Sequence, residues 1–134
     1  MSEASDEELL EKAWSVLENA HSPYSKLRVG AALRARDGRV FSGCNVENAS
    51  FGLTICAERT AIGSAVSEGV TEFEAIAIVS DAGTLLMPCG ACRQVLAEFA
   101  PDLKVIVGAR DGARSEVALT ELLPSSFRPS DLDS

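Results

Sequence analysis

The sequence predicts a three-layer α/β/α domain built on a five-stranded mixed sheet. Three observations carry this. Apolar residues recur at helical spacing in several segments, an Asp-Gly pair sits between apolar runs at 37–38 and again at 111–112, and "FEAIAIVS" (73–80) is almost continuously apolar between two helical segments. Such a run suits a strand buried on both faces, and hairpins flanking helical crossovers make a mixed sheet covered by helices. With 134 residues, 46% apolar and 24% charged, the chain 1–134 is expected to be a single domain with its own core.

The elements follow in order. "SDEELLEKAWSVLENAH" (5–21) places Leu9, Leu10, Ala13, Trp14, Leu17 and Ala20 on one helical face, with Ser5 and Glu8 spaced as a capping box. Trp14 reads as core and His21 as a turn or capping group. "SPYS" (22–25) breaks the helix. "RVGAALRARDGRVFSGCNV" (28–46) reads as an antiparallel hairpin turning at Arg36–Arg39. "TICAERTAIGSAVSEG" (54–69) reads as a second helix stopped by Gly69, "FEAIAIVS" as the central strand, and "CGACRQVLAEFA" (89–100) as a third helix between Pro88 and Pro101. "LKVIVGARDGARSEVAL" (103–119) supplies the hairpin of strands 4 and 5, and "LTELLPSSF" (119–127) a short last helix with a tail.

A net charge of −8 disfavours a polymeric nucleic acid as partner, because holding a phosphate backbone needs clustered Lys and Arg. The N-terminus "MSEASDEELLEK" is acidic where a secretory signal is basic and then apolar, and no apolar run approaches a membrane span. The expected compartment is cytoplasmic. Thiols stay reduced there, so the four cysteines read as metal ligands, nucleophiles or packing groups rather than disulfides.

Cys89 and Cys92 form a C-x-x-C at the start of one predicted helix and Cys56 opens another. Three thiolates with no oxygen-rich cluster nearby favour zinc, and three protein ligands with one open position mark a catalytic site. Helix N-termini favour the anionic form of each thiol. Three thiolates leave zinc at 2 minus 3, or −1, and Arg59 is placed to offset this by donating to the sulfurs. Glu58, two residues from Cys56, can reach the open position without binding the metal. Non-ligand Glu with three Cys or His ligands, in H-x-E then P-C-x-x-C, is the signature of zinc deaminases of nucleobases; here it reads Cys56-Ala57-Glu58 and Pro88-Cys89-Gly90-Ala91-Cys92. A closed four-cysteine structural site using Cys44 is the bland alternative, against which Cys44 reads as a buried small hydrophobe at a strand end.

"GCNVENASFGLTICAERTAI" (43–62) and "PCGACRQVLAEF" (88–99) resemble the small homotetrameric zinc-dependent cytidine deaminases with an all-cysteine site, and the resemblance runs from about residue 23 to 127. It implies zinc on Cys56, Cys89 and Cys92. It also implies that Glu58 moves a proton from metal-activated water to N3 of the base and then to the leaving amine, giving uridine and ammonia. Asn45 and Glu47 match the pair that holds the sugar hydroxyls, and i, i+2 spacing in an extended segment puts both on one face; a polar strand end facing water is the alternative. Ala57 matches a backbone N–H donor to the base carbonyl. Phe127 matches an aromatic delivered from a neighbouring subunit, with packing on the chain's own core as the alternative. Leu27 and Phe51 depart from the family's usual Phe and Tyr, which bears on substrate choice.

The implied activity is deamination of cytidine and 2′-deoxycytidine in pyrimidine salvage by a homotetramer. A deaminase of the blasticidin S type, acting on a cytosine-bearing antibiotic, is the enzymatic rival, and "NVENAS" (45–50) argues against it. A non-catalytic zinc-stabilised interaction module is the rival from another class.

Overall fold

The computed structural model describes residues 5–132. Helix α1 spans Asp6–Leu17, followed by β1 (Val29–Ala35), β2 (Val40–Cys44), α2 (Ala57–Ser67), β3 (Phe73–Ser80), α3 (Gly90–Phe99), β4 (Lys104–Gly108), β5 (Arg114–Ala118) and α4 (Leu119–Leu122), with 3₁₀ turns at Phe51–Leu53 and Pro129–Leu132. The sheet runs β2-β1-β3-β4-β5. Among the paired strands of the described residues only β3 and β4 are parallel neighbours, because α3 crosses between them; both hairpins pair antiparallel as the Asp-Gly signals predict. Gly38 at φ 94° and Gly112 at φ 90° occupy left-handed turn positions open chiefly to glycine.

Residue size sets the layers. The strand positions beneath α1 are small, with Ala32, Ala75 and Ala77 packed on Leu9, Ala13 and Leu17. The opposite face presents Leu33, Ile76, Ile78, Val105 and Val107 to α2 and α3. Two glycines let helices come closer than any side chain allows. A Cβ on Gly30 would stand 2.1 Å from the Ala13 carbonyl oxygen, and one on Gly43 would stand 2.5 Å from the Ala61 nitrogen and 2.9 Å from the Ala57 oxygen. The first turn of α2 is therefore seated on the backbone of β2.

Several boundaries differ from the sequence reading. The capping box at Ser5 and Glu8 forms, but α1 ends at Leu17 rather than His21, because the backbone of His21 leaves to bridge Val46. Helix α2 begins at Ala57 rather than Thr54, since Ile55 also bridges Val46. It ends at Ser67 with Glu68 as the C-cap, and Gly69 is the stop the sequence predicts, its φ of 82° accompanying Val70 N–H bonding to Ala65 O. Helix α4 stops at Leu122 because Pro124 follows Leu123. Trp14 is half-buried rather than core, with the Arg110 guanidinium 4.4 Å from its ring centroid.

An ion network docks the start of α1 on the sheet. Asp6 bonds Lys104 at 2.8 Å and the buried Arg34 at 3.1 Å, and Arg34 also bonds Glu74 at 2.7 Å. The Lys104 ammonium, and then Arg34, hold the Asp6 carboxyl below its ordinary range. A depressed carboxylate pKa adds stability above the unfolded pKa, about 3.9, and loses it as pH falls through the folded value. Asp6→Asn should therefore be less stable than the parent by roughly 1 kcal/mol at pH 7, with the gap closing below about pH 4. Urea titrations at both pH values check this, and an equal gap at each would rule out the network as its source.

Candidate active site

The site lies where α2 and α3 begin, beside the carboxyl end of the central strand, which is where open α/β sheets gather ligand sites. Cys56 and Cys89 are the N-cap residues of α2 and α3, one position earlier than the first turn, and neither makes a side-chain capping bond. Each sulfur faces unsatisfied helix N–H groups and the positive end of the helix dipole. Cys92 is the third residue of α3, and the N-cap to N3 relation brings its sulfur to the same corner as Cys89.

The Cys56 and Cys89 sulfurs are 3.9 Å apart and those of Cys89 and Cys92 are 3.5 Å apart. All three lie within 4.8 Å of one another, a group able to hold a metal ion. A tetrahedral ion with Zn–S bonds of about 2.3 Å requires sulfurs about 3.8 Å apart, so the cluster fits zinc. Cys44, half-buried on β2, is not in the group, which removes the closed four-cysteine arrangement. A hydrogen bond from Cys92, and then Arg59, draws the Cys56 thiol down to about 5. Cys92 is pushed up, as the donor in that bond and by burial.

Arg59 Nη2 lies 3.3 Å from the Cys56 sulfur and 3.5 Å from the Thr54 carbonyl oxygen, while its buried Nε finds no partner. Glu58 is 5% exposed. Burial pushes its carboxyl up, and the Cys56 thiolate pushes the same way. Ala57 is the first residue of α2, so its N–H has no acceptor within the helix.

A cleft of about 220 Å³ brings Cys56, Ala57, Glu58 and Cys89 together with Asn45 and Glu47, all of which line it. Asn45 Oδ1 accepts the Val29 N–H at 2.9 Å and its Nδ2 donates to the Leu27 carbonyl at 2.8 Å. Glu47 accepts the N–H groups of Tyr24 and Ser25 at 3.0 and 3.1 Å and the Ser25 hydroxyl. The hydroxyl, with those N–H groups, lowers its pKa. Phe127 does not line the cleft and is 59% exposed, so it does not pack on the chain's own core; its carbonyl accepts Gln94 Nε2 at 2.7 Å.

The cleft adds residues that the motifs leave out: Ser25, Thr54, Ile78, Ser80, Leu86 and Met87, with Leu27. Ser80 was findable as the last residue of the central strand and Met87 as the neighbour of "PCGAC". Ser25 carries no signal of its own beyond standing in "PYSKL".

The cluster leads to a metal-content test. Cys92→Ser should lose bound zinc and Cys44→Ser should keep one zinc per chain, measured by atomic emission after dialysis. Zinc loss in Cys44→Ser would contradict the three-sulfur group.

Comparison with known proteins agrees with this geometry. The family model described as the cytidine and deoxycytidylate deaminase zinc-binding region matches residues 3–109, which include all three cysteines and Glu58. A cytidine deaminase of Halalkalibacterium halodurans is 49% identical over 126 residues, covering 93% of this chain and 96% of the relative. The 1.6 Å crystal structure of a cytidine deaminase from Burkholderia pseudomallei superposes with a TM-score of 0.89 at 47% identity, covering 92% of this chain and 99% of that one. A blasticidin-S deaminase of Bacillus cereus is 33% identical, covering 77% of this chain and 79% of the relative. This chain is a member of the zinc-binding cytidine and deoxycytidylate deaminase family.

Proposed function

We propose that the chain hydrolyses cytidine and 2′-deoxycytidine to uridine or deoxyuridine plus ammonia, with zinc held by Cys56, Cys89 and Cys92. One observation carries the reading: Cys56 and Cys89 of the three-sulfur cluster, the buried Glu58 carboxyl and the Asn45–Glu47 pair line a single cleft. Zinc bound there supplies the Lewis acidity that makes water nucleophilic near neutral pH. Glu58 takes one proton from the attacking water and passes it to N3 of the ring, then takes the second proton from the hydroxyl now bonded to C4 and gives it to the amine as the C4–N bond breaks and the C4 carbonyl forms. The N–H of Ala57 donates to the base carbonyl. Arg59 holds the Cys56 sulfur and offsets the cluster's excess negative charge; Arg59→Gln should lower zinc retention, and unchanged retention and turnover would remove that role.

Hydrogen-bonding capacity favours a nucleoside of either sugar. An ionised carboxylate has about four acceptor sites, and Glu47 has committed three of its own. Asn45 has one donor and one acceptor left. Together they can satisfy one sugar hydroxyl as both donor and acceptor, and ribose and deoxyribose share such a hydroxyl. No Lys, Arg or His is among the described residues lining the cleft, which instead carries Glu47, Glu58 and the thiols. A 5′-phosphate would meet repulsion there, so the nucleoside and not the nucleotide is the substrate.

We place the activity in cytoplasmic pyrimidine salvage, where the free thiols of the site stay reduced. No helix among the described residues is long and apolar enough to cross a membrane. We also infer a homotetramer with shared sites, in which Phe127 serves a neighbouring subunit. Its exposure supports this, as do the exposed Tyr24 and Phe51, which line a hollow together with the cleft residues Ser25, Glu47 and Thr54. Sedimentation equilibrium showing a fully active monomer would refute it.

The test is the loss of cytidine absorbance on conversion to uridine. Zinc-loaded parent should turn over cytidine and deoxycytidine within about tenfold of each other and leave CMP and blasticidin S untouched. Glu58→Ala should keep its zinc and lose at least about 10³-fold in kcat. A parent inert on both nucleosides, or a Glu58→Ala chain with full activity, would overturn the reading.

A further inference from the structure

The cleft wall at residues 22–27 adopts a backbone that needs outside support. Lys26 N–H closes a turn on the Ser22 carbonyl at 3.0 Å, and Lys26 itself sits at φ 64°. That left-handed conformation is strained for a non-glycine residue. The next residue, Leu27, lines the cleft.

The support comes from Glu47, and Ser25 transmits it. Glu47 Oε1 accepts the N–H groups of Tyr24 and Ser25, and Oε2 accepts the Ser25 hydroxyl. The same Ser25 oxygen accepts the Leu27 N–H at 3.0 Å. One side chain thus joins the carboxylate that meets the sugar to the backbone of the residue that walls the cleft. With two donors on Oε1 and one on Oε2, a single acceptor site remains on Oε2. The Ser25 hydroxyl decides where that site points.

We propose that Ser25 is a positioning residue for substrate binding: it orients the one free lone pair of Glu47 and ties that carboxylate to the Leu27 wall. The proposal rests on reading Glu47 as the sugar ligand. Without the hydroxyl, Oε2 has two open sites and no fixed direction, so water competes with the sugar for them. The cysteine sulfurs and Glu58 lie on other elements and keep their places. The effect should therefore appear in binding and spare the chemical step.

The experiment compares cytidine kinetics, zinc content and thermal midpoint for the parent, Ser25→Ala, Ser25→Thr, Glu47→Gln and the Ser25→Ala/Glu47→Gln double variant. Ser25→Ala should raise KM about tenfold, the value of one hydrogen bond to a charged group, with kcat within about twofold and zinc retained. Ser25→Thr, which keeps a hydroxyl, should recover most of the lost KM. The double variant should raise KM by less than the product of the single effects, since both changes break one interaction. An unchanged KM in Ser25→Ala, multiplicative KM effects in the double variant, or joint loss of kcat, zinc and folded protein would each overturn the proposal. A parent inactive on cytidine would instead strike the deaminase reading on which the proposal stands.

Discussion

Three cysteine sulfurs gathered at two helix N-termini, 3.5 and 3.9 Å apart along the measured edges, are the constraint on which the rest of the structure depends. Anionic sulfurs that close repel one another unless a cation, helix dipoles and a guanidinium share their charge. The fold supplies the last two. It does so by starting α2 and α3 side by side at the end of a central strand, with Arg59 folding back from α2 onto Cys56. The seating of α2 depends in turn on Gly43, because any side chain there would strike the Ala57 and Ala61 backbone. A residue on β2 that does not itself line the cleft thus sets the depth of the turn that carries Glu58.

The same concentration of negative charge shapes what the cleft can accept. Cys56, Cys89, Glu47 and Glu58 line it, and no Lys, Arg or His among the described residues lines it beside them, which disfavours a further negative charge there. Recognition then falls to hydrogen-bond direction. Asn45 and Glu47, which line the cleft, commit most of their capacity to the protein's own backbone: Asn45 staples Leu27 and Val29, and Glu47 caps the turn before Leu27. Binding and local folding share these groups, which makes the cleft rigid before a ligand arrives.

Much of this was legible in the sequence. The capping box, both hairpin turns, the central strand and the cysteine spacing each rest on local patterns, and local patterns are what a sequence displays directly. Where the reading slipped, long-range pairing intervened. The bridges of His21 and Ile55 to Val46 shorten α1 and α2 by recruiting their flanks, and nothing in the periodicity of residues 5–21 or 54–69 reports a partner at position 46. The periodicity puts Cys56 and Cys89 inside their helices, whereas both are N-caps, since an N-cap cysteine has no oxygen to announce it; Cys92 does sit in the first turn. The role of Ser25 was invisible because it depends on a left-handed Lys26 and on a carboxylate twenty-two residues away. The exposure of Phe127 is legible only through the family resemblance, since the local sequence does not say what covers its surface.

X-ray absorption at the zinc edge of the zinc-loaded protein tests the central claim most directly, because it counts the ligand atoms around the ion. An open site predicts three sulfur scatterers at about 2.3 Å and one lighter scatterer at about 2.0 Å. Four sulfurs would mean that Cys44 closes the coordination sphere, leaving no position for chemistry and contradicting the catalytic account.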